Sequence, residues 1–294
     1  MTKGLMKTAI IKRVLFLFSL LPLPVLRGIG ALVGLSMLKL SKRASVRLRE
    51  NLLATGMCTP AGVEAMAKQT SMELGKTLVE TACIAWQRSK EYNAKLIVKT
   101  TNQDLVEQAL MQNQAVLFLT PHIGNFEISL KYTASKIKRS FTVLYKPDKD
   151  PLLEKLMFEG RHEDNITPVP TTRSGVVQVV RALQNKQIVG ILPDNVASQG
   201  DGVWVEFFHK KVFATTLAAK LALMQGVTIF LAYSYRVKHG FELEYIPFTP
   251  TSLDIASVVK EIYTMIEGVV RRSPTEYYWS YNRFRVPKGQ QGVA

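Results

Sequence analysis

The sequence predicts an α/β fold: a single domain with a mixed, largely parallel central sheet flanked by helices, preceded by an N-terminal membrane-associating helical segment. Three observations predict it. Short apolar runs at 114–120, 141–147 and 188–194 read as strands, the first buried and the last buried on both faces. Segments with apolar residues at helical spacing lie between them, and that alternation of strand and helix favours parallel pairing. The first 49 residues differ from the rest, carrying ten lysines and arginines and no acidic residue.

The N-terminal segment interleaves charge with apolar runs. "VLFLFSLLPLPVL" spans 14–26 and "GIGALVGLSMLKL" spans 28–40, with Arg27 between them. A spanning helix needs about 20 apolar residues. Neither run reaches that, and Pro22 and Pro24 break or kink a helix. Two helices lying on an anionic leaflet, with a break between them, fit the charge and the prolines best. A single tilted anchor over about 14–38 requires Arg27 to snorkel or face protein. A secretory signal peptide shares the layout but lacks a clear cleavage site. For the first two readings the basic flanks favour the cytoplasmic face of a membrane. The expected division is 1–49 as membrane segment and 50–294 as the α/β domain.

The remaining elements follow in order. Residues 62–87 place Met66, Met72, Leu74, Leu78 and Ala82 at helical spacing. The strand 114–120 leads into a helix over 126–137, with Asn125 as a cap. The strand 141–147 is followed by a helix over 151–161 that opens on a proline. A helix over 174–186 begins with Ser174 as a candidate cap, and the strand 188–194 follows. The spacing predicts a helix over 214–226 stopped by Gly226. "VTIFLAYSYRV" and "FELEYIPF" read as strands joined by Lys238-His239-Gly240, and a last helix runs over about 255–272.

Composition limits the function classes. At 294 residues and 47% hydrophobic, the chain builds a sizeable core and is not disordered. The formal net charge of +15 points to an anionic partner. Cys58 and Cys83 form neither a disulfide framework nor a metal pattern. His162 heads "HEDN", but adjacent residues rarely converge on one ion, so no metal is expected. No P-loop or G-x-G-x-x-G is present, and no nucleotide cofactor is expected. The basic residues alternate with greasy ones, which suits lipid rather than nucleic acid.

The stretch "VLFLTPHIGNFEISLKY" carries the strongest chemical signal. In open α/β sheets chemistry gathers beyond the carboxyl ends of strands, where His122 lies. Five positions on, Glu127 falls in the first turn of the next helix. On one continuous helix the two would point about 140° apart. Across a turn, the carboxylate can fold back onto the imidazole, fix its tautomer and stabilise its charged form. A glutamate there is also favoured by the helix dipole with no catalysis at all.

"HIGNFE" resembles the His-x4-Asp/Glu motif of the glycerolipid acyltransferase-like superfamily, and more closely the late acyltransferases of bacterial lipid A biosynthesis, the lauroyl and myristoyl transferases. Four further blocks are similar to that family in the same order. They are "YKPDKDPLLEKLMFEGR" with Arg161, "RSGVVQVVRALQNKQIVGILPDN" with Pro193-Asp194, "GVWVEFFHKKVFATTLAAKLALMQG", and "TEYYWSYNRFR". Together they cover about 14–288. The chain differs where Asn195 follows Pro193-Asp194, where Glu206 precedes the Phe pair, and in ending Arg-Phe-Arg.

The resemblance implies an O-acyltransferase at the cytoplasmic face of a bacterial inner membrane. The implied donor is an acyl thioester on acyl carrier protein, and the implied acceptor is a hydroxyl of a Kdo-bearing lipid A precursor. His122 would be the general base and Glu127 would orient it. The implied oxyanion stabiliser is a backbone N–H at Gly124-Asn125 or the cation of Arg161. Arg161, Lys146, Arg173, Arg283, Arg285 and Lys288 are candidates for anion contacts, and Asp194 would orient Arg161 or a substrate hydroxyl. No G-x-S-x-G is present to suggest an acyl-enzyme. Transfer to another membrane lipid, such as a lysophospholipid or glycolipid, and a non-catalytic basic peripheral membrane protein are the alternatives.

Overall fold

The computed structural model describes residues 3–85, 90–137, 139–161, 165–198 and 200–287. Its helices are α1 (Lys3–Ser19), α2 (Leu23–Leu40), α3 (Lys42–Ala54), α4 (Val63–Ala85), α5 (Lys90–Lys95), α6 (Gln103–Met111), α7 (Phe126–Lys136), α8 (Pro151–Arg161), α9 (Arg173–Gln184), α10 (Leu217–Ala222) and α11 (Ile255–Arg272). Its strands are β1 (Ile97–Thr101), β2 (Ala115–Leu119), β3 (Phe141–Tyr145), β4 (Ile166–Pro170), β5 (Ile188–Ile191), β6 (Gly202–Phe207), β7 (Lys210–Thr215), β8 (Val227–Val237) and β9 (Gly240–Phe248).

Seven strands form one sheet in the order β1-β9-β8-β2-β5-β3-β4. Only the β8–β9 pairing is antiparallel, so five strands run one way and β9 and β1 the other. The mixed, largely parallel sheet flanked by helices is therefore the fold the alternation predicts. Strands β2, β3 and β5 are buried at every position, as expected of strands covered on both faces. Their side chains alternate between two cores. Leu117, Leu119, Val189 and Ile191 pack toward α9, α10 and α11. Val116, Phe118, Ile188 and Phe230 pack toward α6 and α7.

Some elements differ from expectation. The cap of α9 is Thr172, whose hydroxyl accepts from the Gly175 N–H at 3.2 Å, rather than Ser174. The helix expected over 214–226 is shortened to Leu217–Ala222, because Lys210–Thr215 is drawn into an antiparallel ribbon with Gly202–Phe207. Strands β1 and β4 lie at the two edges of the sheet, where β4 tolerates Pro168 and Pro170.

The N-terminal helices break at Leu20–Pro22, with Pro22 capping α2 and Pro24 in its first turn. Arg27 faces protein. Its Nε donates to Glu80 Oε1 at 2.8 Å, and its Nη1 and Nη2 donate to the carbonyls of Val237 at 2.6 Å and Gly240 at 2.7 Å. Helix α2 lies against α4 so closely that a Cβ on Gly34 would sit 1.8 Å from the Ser71 carbonyl oxygen. Only glycine permits that approach. The opposite side of α2 leaves Val25, Leu32, Val33, Met37 and Leu40 exposed, and the helix is long and apolar enough to cross a membrane.

Candidate active site

The centre of the sheet positions the site. In the β2–β5 register, Leu119 pairs with Ile191. His122 and Asp194 each lie three residues beyond that pair, so two parallel strands deliver them side by side at their carboxyl ends. The Asp194 side chain is fully buried, and it grips His122 twice. Its Oδ1 lies 2.7 Å from the imidazole Nδ1, and its Oδ2 accepts the His122 main-chain N–H at 3.1 Å. A carboxylate can only accept, so Nδ1 carries a proton, and Nε2 holds a lone pair whenever the ring is neutral.

Asp194 is held in turn by the C-terminal segment. The Tyr277 hydroxyl donates to Oδ2 at 3.1 Å, as does Arg283 Nη2 at 3.1 Å, while Arg283 Nη1 donates to the Asp194 carbonyl. The Arg283 guanidinium lies 4.8 Å from the Tyr277 ring centre and 5.3 Å from that of Tyr281. Burial alone would raise the Asp194 pKa. The charges of His122 and Arg283, with the hydrogen bonds from His122, outweigh it and hold the carboxyl well below the usual range.

Glu127 does not meet the imidazole, which corrects the pairing expected from spacing. Arg161 reaches it instead, donating through Nε at 2.8 Å and also through Nη2 to the same oxygen. Asp194 accordingly orients His122 and not Arg161. The reason lies in the turn. Gly124 adopts φ +59°, and a Cβ there would sit 1.8 Å from the Ser234 carbonyl oxygen, so the chain is pinned against β8. From that start α7 turns Glu127 onto Arg161 of α8, both on the wall of a cavity, while strand register fills the space beside His122 with Asp194.

That cavity has a volume of about 310 Å³. His122 and Phe126 stand on its wall with Glu127, Arg161, Tyr145 and Lys146, and its apolar lining includes Phe118, Leu130, Phe141, Val143, Gly190 and Ala232. The His122 ring packs edge-on against Phe126, with centroids 5.5 Å apart. The Tyr145 phenol donates to Glu154 Oε1 at 2.5 Å, and burial followed by that bond pushes its pKa up to about 12.

Other expected contacts are corrected. Asn125 is fully buried, caps α7 by accepting from Ile128 N–H at 3.1 Å, and does not line the cavity. The Gly124 N–H is committed to the Glu276 carbonyl at 3.1 Å and is not free for an oxyanion. Arg173 is exposed at the start of α9, away from the cavity lining. Arg283 is an interior residue, not a surface anion contact, whereas Arg285 is exposed. His162 and Lys288 lie outside the described residues.

The site is thus an imidazole, hydrogen-bonded through Nδ1 to a buried carboxylate, on the wall of a largely apolar cavity. The model for the bacterial lipid A biosynthesis acyltransferases matches residues 6–286, and the chain belongs to that family of acyltransferases. It is 26% identical over 291 residues to the lipid A biosynthesis palmitoleoyltransferase of Escherichia coli strain K12, covering 95% of this chain and 92% of that one. It is 23% identical over 286 residues to the lipid A biosynthesis lauroyltransferase of the same strain, covering 94% and 90%. It is also 23% identical over 282 residues to a lipid A biosynthesis acyltransferase of Haemophilus influenzae, covering 90% and 86%.

Proposed function

We propose that the chain transfers a fatty acyl group from the thioester of acyl carrier protein to a hydroxyl on an acyl chain of a Kdo-bearing lipid A precursor. His122 is the general base and Asp194 orients it. The observation that supports this reading is His122, its Nδ1 bound to Asp194, on the wall of the 310 Å³ cavity, beside an apolar lining that suits an acyl chain. Nε2 takes the proton from the acceptor hydroxyl as its oxygen attacks the thioester carbon. The tetrahedral oxyanion collapses, the carbon–sulfur bond breaks, and the imidazolium returns the proton to the departing thiolate. Positioned general-base help of this kind contributes about 10²–10⁴ in rate.

Among the described residues, Arg161 and Lys146 are the arginine and lysine lining the cavity, and the Glu127 carboxylate holds the Arg161 guanidinium. In this reading Glu127 acts through Arg161, which stabilises the developing oxyanion. Lys146, exposed at the cavity rim, contacts an anionic group of donor or acceptor. Residues 1–49 form the membrane segment, their lysines and arginines meeting the anionic lipid of the inner membrane at its cytoplasmic face.

The test is to incubate the full chain with acyl carrier protein carrying a labelled acyl group, and membranes holding both a Kdo-bearing lipid A precursor and lysophospholipid. Label in the lipid A precursor supports the reading. Label only in phospholipid, or none in lipid, overturns it.

A further inference from the structure

Three carboxylates meet at one guanidinium beside the turn that follows His122. Arg236 of β8 has a side chain 6% exposed. Its Nε and Nη2 donate to Glu80 Oε2 at 2.9 and 2.8 Å. Its Nη1 donates to Glu276 Oε2 at 2.9 Å and to Glu73 Oε2 at 3.4 Å, and Nη2 also donates to the Thr77 hydroxyl. Burying such a cluster is no gain in stability by itself, since apolar residues of similar volume often serve as well. Its contacts point to position instead.

Both main-chain groups of Gly124 are held by residues that Arg236 binds. The Gly124 N–H donates to the Glu276 carbonyl at 3.1 Å. The Gly124 carbonyl accepts from the Thr77 hydroxyl at 3.2 Å, a proton shared with the Glu73 carbonyl at 3.1 Å. The Glu276 carboxylate also accepts the Arg236 main-chain N–H at 3.1 Å, so it is gripped from backbone and side chain together. Two residues on, the Tyr278 N–H donates to the His122 carbonyl at 3.1 Å, and between them the Tyr277 hydroxyl bonds Asp194. A shift of Glu276 is thus passed to the His122 main chain and to the Asp194 carboxylate at once.

We propose that Arg236 is a positioning residue for acyl transfer: through Glu276 and Thr77 it fixes the turn that carries His122, and so keeps the imidazole in place beside Asp194 on the cavity wall. The inference rests on the reading of His122 as the general base. A misplacement of about 1 Å in such a group costs about 10²-fold in rate. Only a planar fork of five donors meets three carboxylates and a hydroxyl together, and a lysine ammonium does not.

The experiment measures kcat and KM of the full chain for transfer from acyl carrier protein to the Kdo-bearing precursor, in the wild type, His122→Ala, Arg236→Lys, Thr77→Val and Thr77→Ser. Circular dichroism at the assay temperature gives the folded fraction, and kcat is expressed per folded molecule. Valine keeps the branched shape of threonine without its hydroxyl, and serine keeps the hydroxyl. The expected result is a kcat about 10- to 100-fold lower in Arg236→Lys and about tenfold lower in Thr77→Val, with KM unchanged and most of the loss recovered in Thr77→Ser. A role in stability alone lowers the folded fraction and leaves kcat per folded molecule as it was. A wild-type kcat in folded Arg236→Lys or Thr77→Val, or a serine variant no better than the valine one, overturns the inference while acyl transfer stands. If Arg236→Lys does not fold, the Thr77 pair decides. If the wild type transfers nothing, or His122→Ala keeps the wild-type kcat, the reading of His122 fails and this inference with it.

Discussion

His122 and Asp194, 72 residues apart, stand at the same height on neighbouring strands, each three residues past the Leu119–Ile191 register pair, with Nδ1 and Oδ1 2.7 Å apart. The orientation of the imidazole is thus set by sheet register and not by the turn that follows it. The C-terminal segment completes the arrangement from the other side, through Tyr277 and Arg283.

The first expectation concerns stability and pH. The folded pKa of Asp194 lies below its unfolded value, so the folded state prefers the carboxylate. That contribution is complete above about pH 4 and is lost as pH falls through the lower folded value. Asp194→Asn removes it and leaves Arg283 buried without its counter-charge, a loss of about 3–5 kcal/mol. By denaturant unfolding, the deficit against the wild type is expected to shrink as pH falls below about 4. A deficit that stays the same below that pH contradicts this.

Arg283 acts through Asp194 and tests as a positioning residue. A lysine keeps the charge but cannot bridge the Asp194 carbonyl and carboxylate together. Arg283→Lys is expected to lower kcat on the order of tenfold, with donor KM unchanged. A rise in KM alone would assign Arg283 to substrate binding.

Glu127 and Arg161 form a pair with side chains 6% and 15% exposed. Removing either partner strands a buried charge, whereas replacing both does not. Glu127→Gln and Arg161→Met are therefore expected to couple in a double-mutant cycle by about 0.5–3 kcal/mol of unfolding free energy. Additive losses would show that the pair does not act as one unit.

Gly190 lies on the cavity wall, and a Cβ there would come within 2.9 Å of the Phe141 ring. Gly190→Val takes volume from the cavity. Kinetics across a series of acyl donors is expected to show kcat/KM falling about 10–200-fold for long donors, with short ones spared. An equal loss at every length refutes a role for Gly190 in chain length.

Particular residues show what was legible in the sequence. Strands β2, β3, β5, β8 and β9 announced themselves because continuous or alternating apolar runs are what burial on two faces selects. Strand β4 did not, since Pro168 and Pro170 read as breakers until the strand is seen to be an edge. The β6–β7 ribbon was hidden because its turn is Phe208-His209. Both adopt positive φ, 50° and 61°, without the asparagine or glycine that usually marks such a turn. His122 was legible from its place after an apolar strand. Its partner was not, because parallel register joins positions far apart in the chain and leaves no local spacing to read. The Tyr277 and Arg283 contacts have the same character, although Pro193-Asp194 at a strand end was a usable signal for Asp194.

The most direct test of the central claim is steady-state transfer by His122→Ala and Asp194→Asn at saturating donor and acceptor, with membrane sedimentation measured alongside. Loss of kcat by about 10²–10⁴ in both variants, with sedimentation unchanged, is the result this account predicts. Transfer at the wild-type rate by either variant would contradict it.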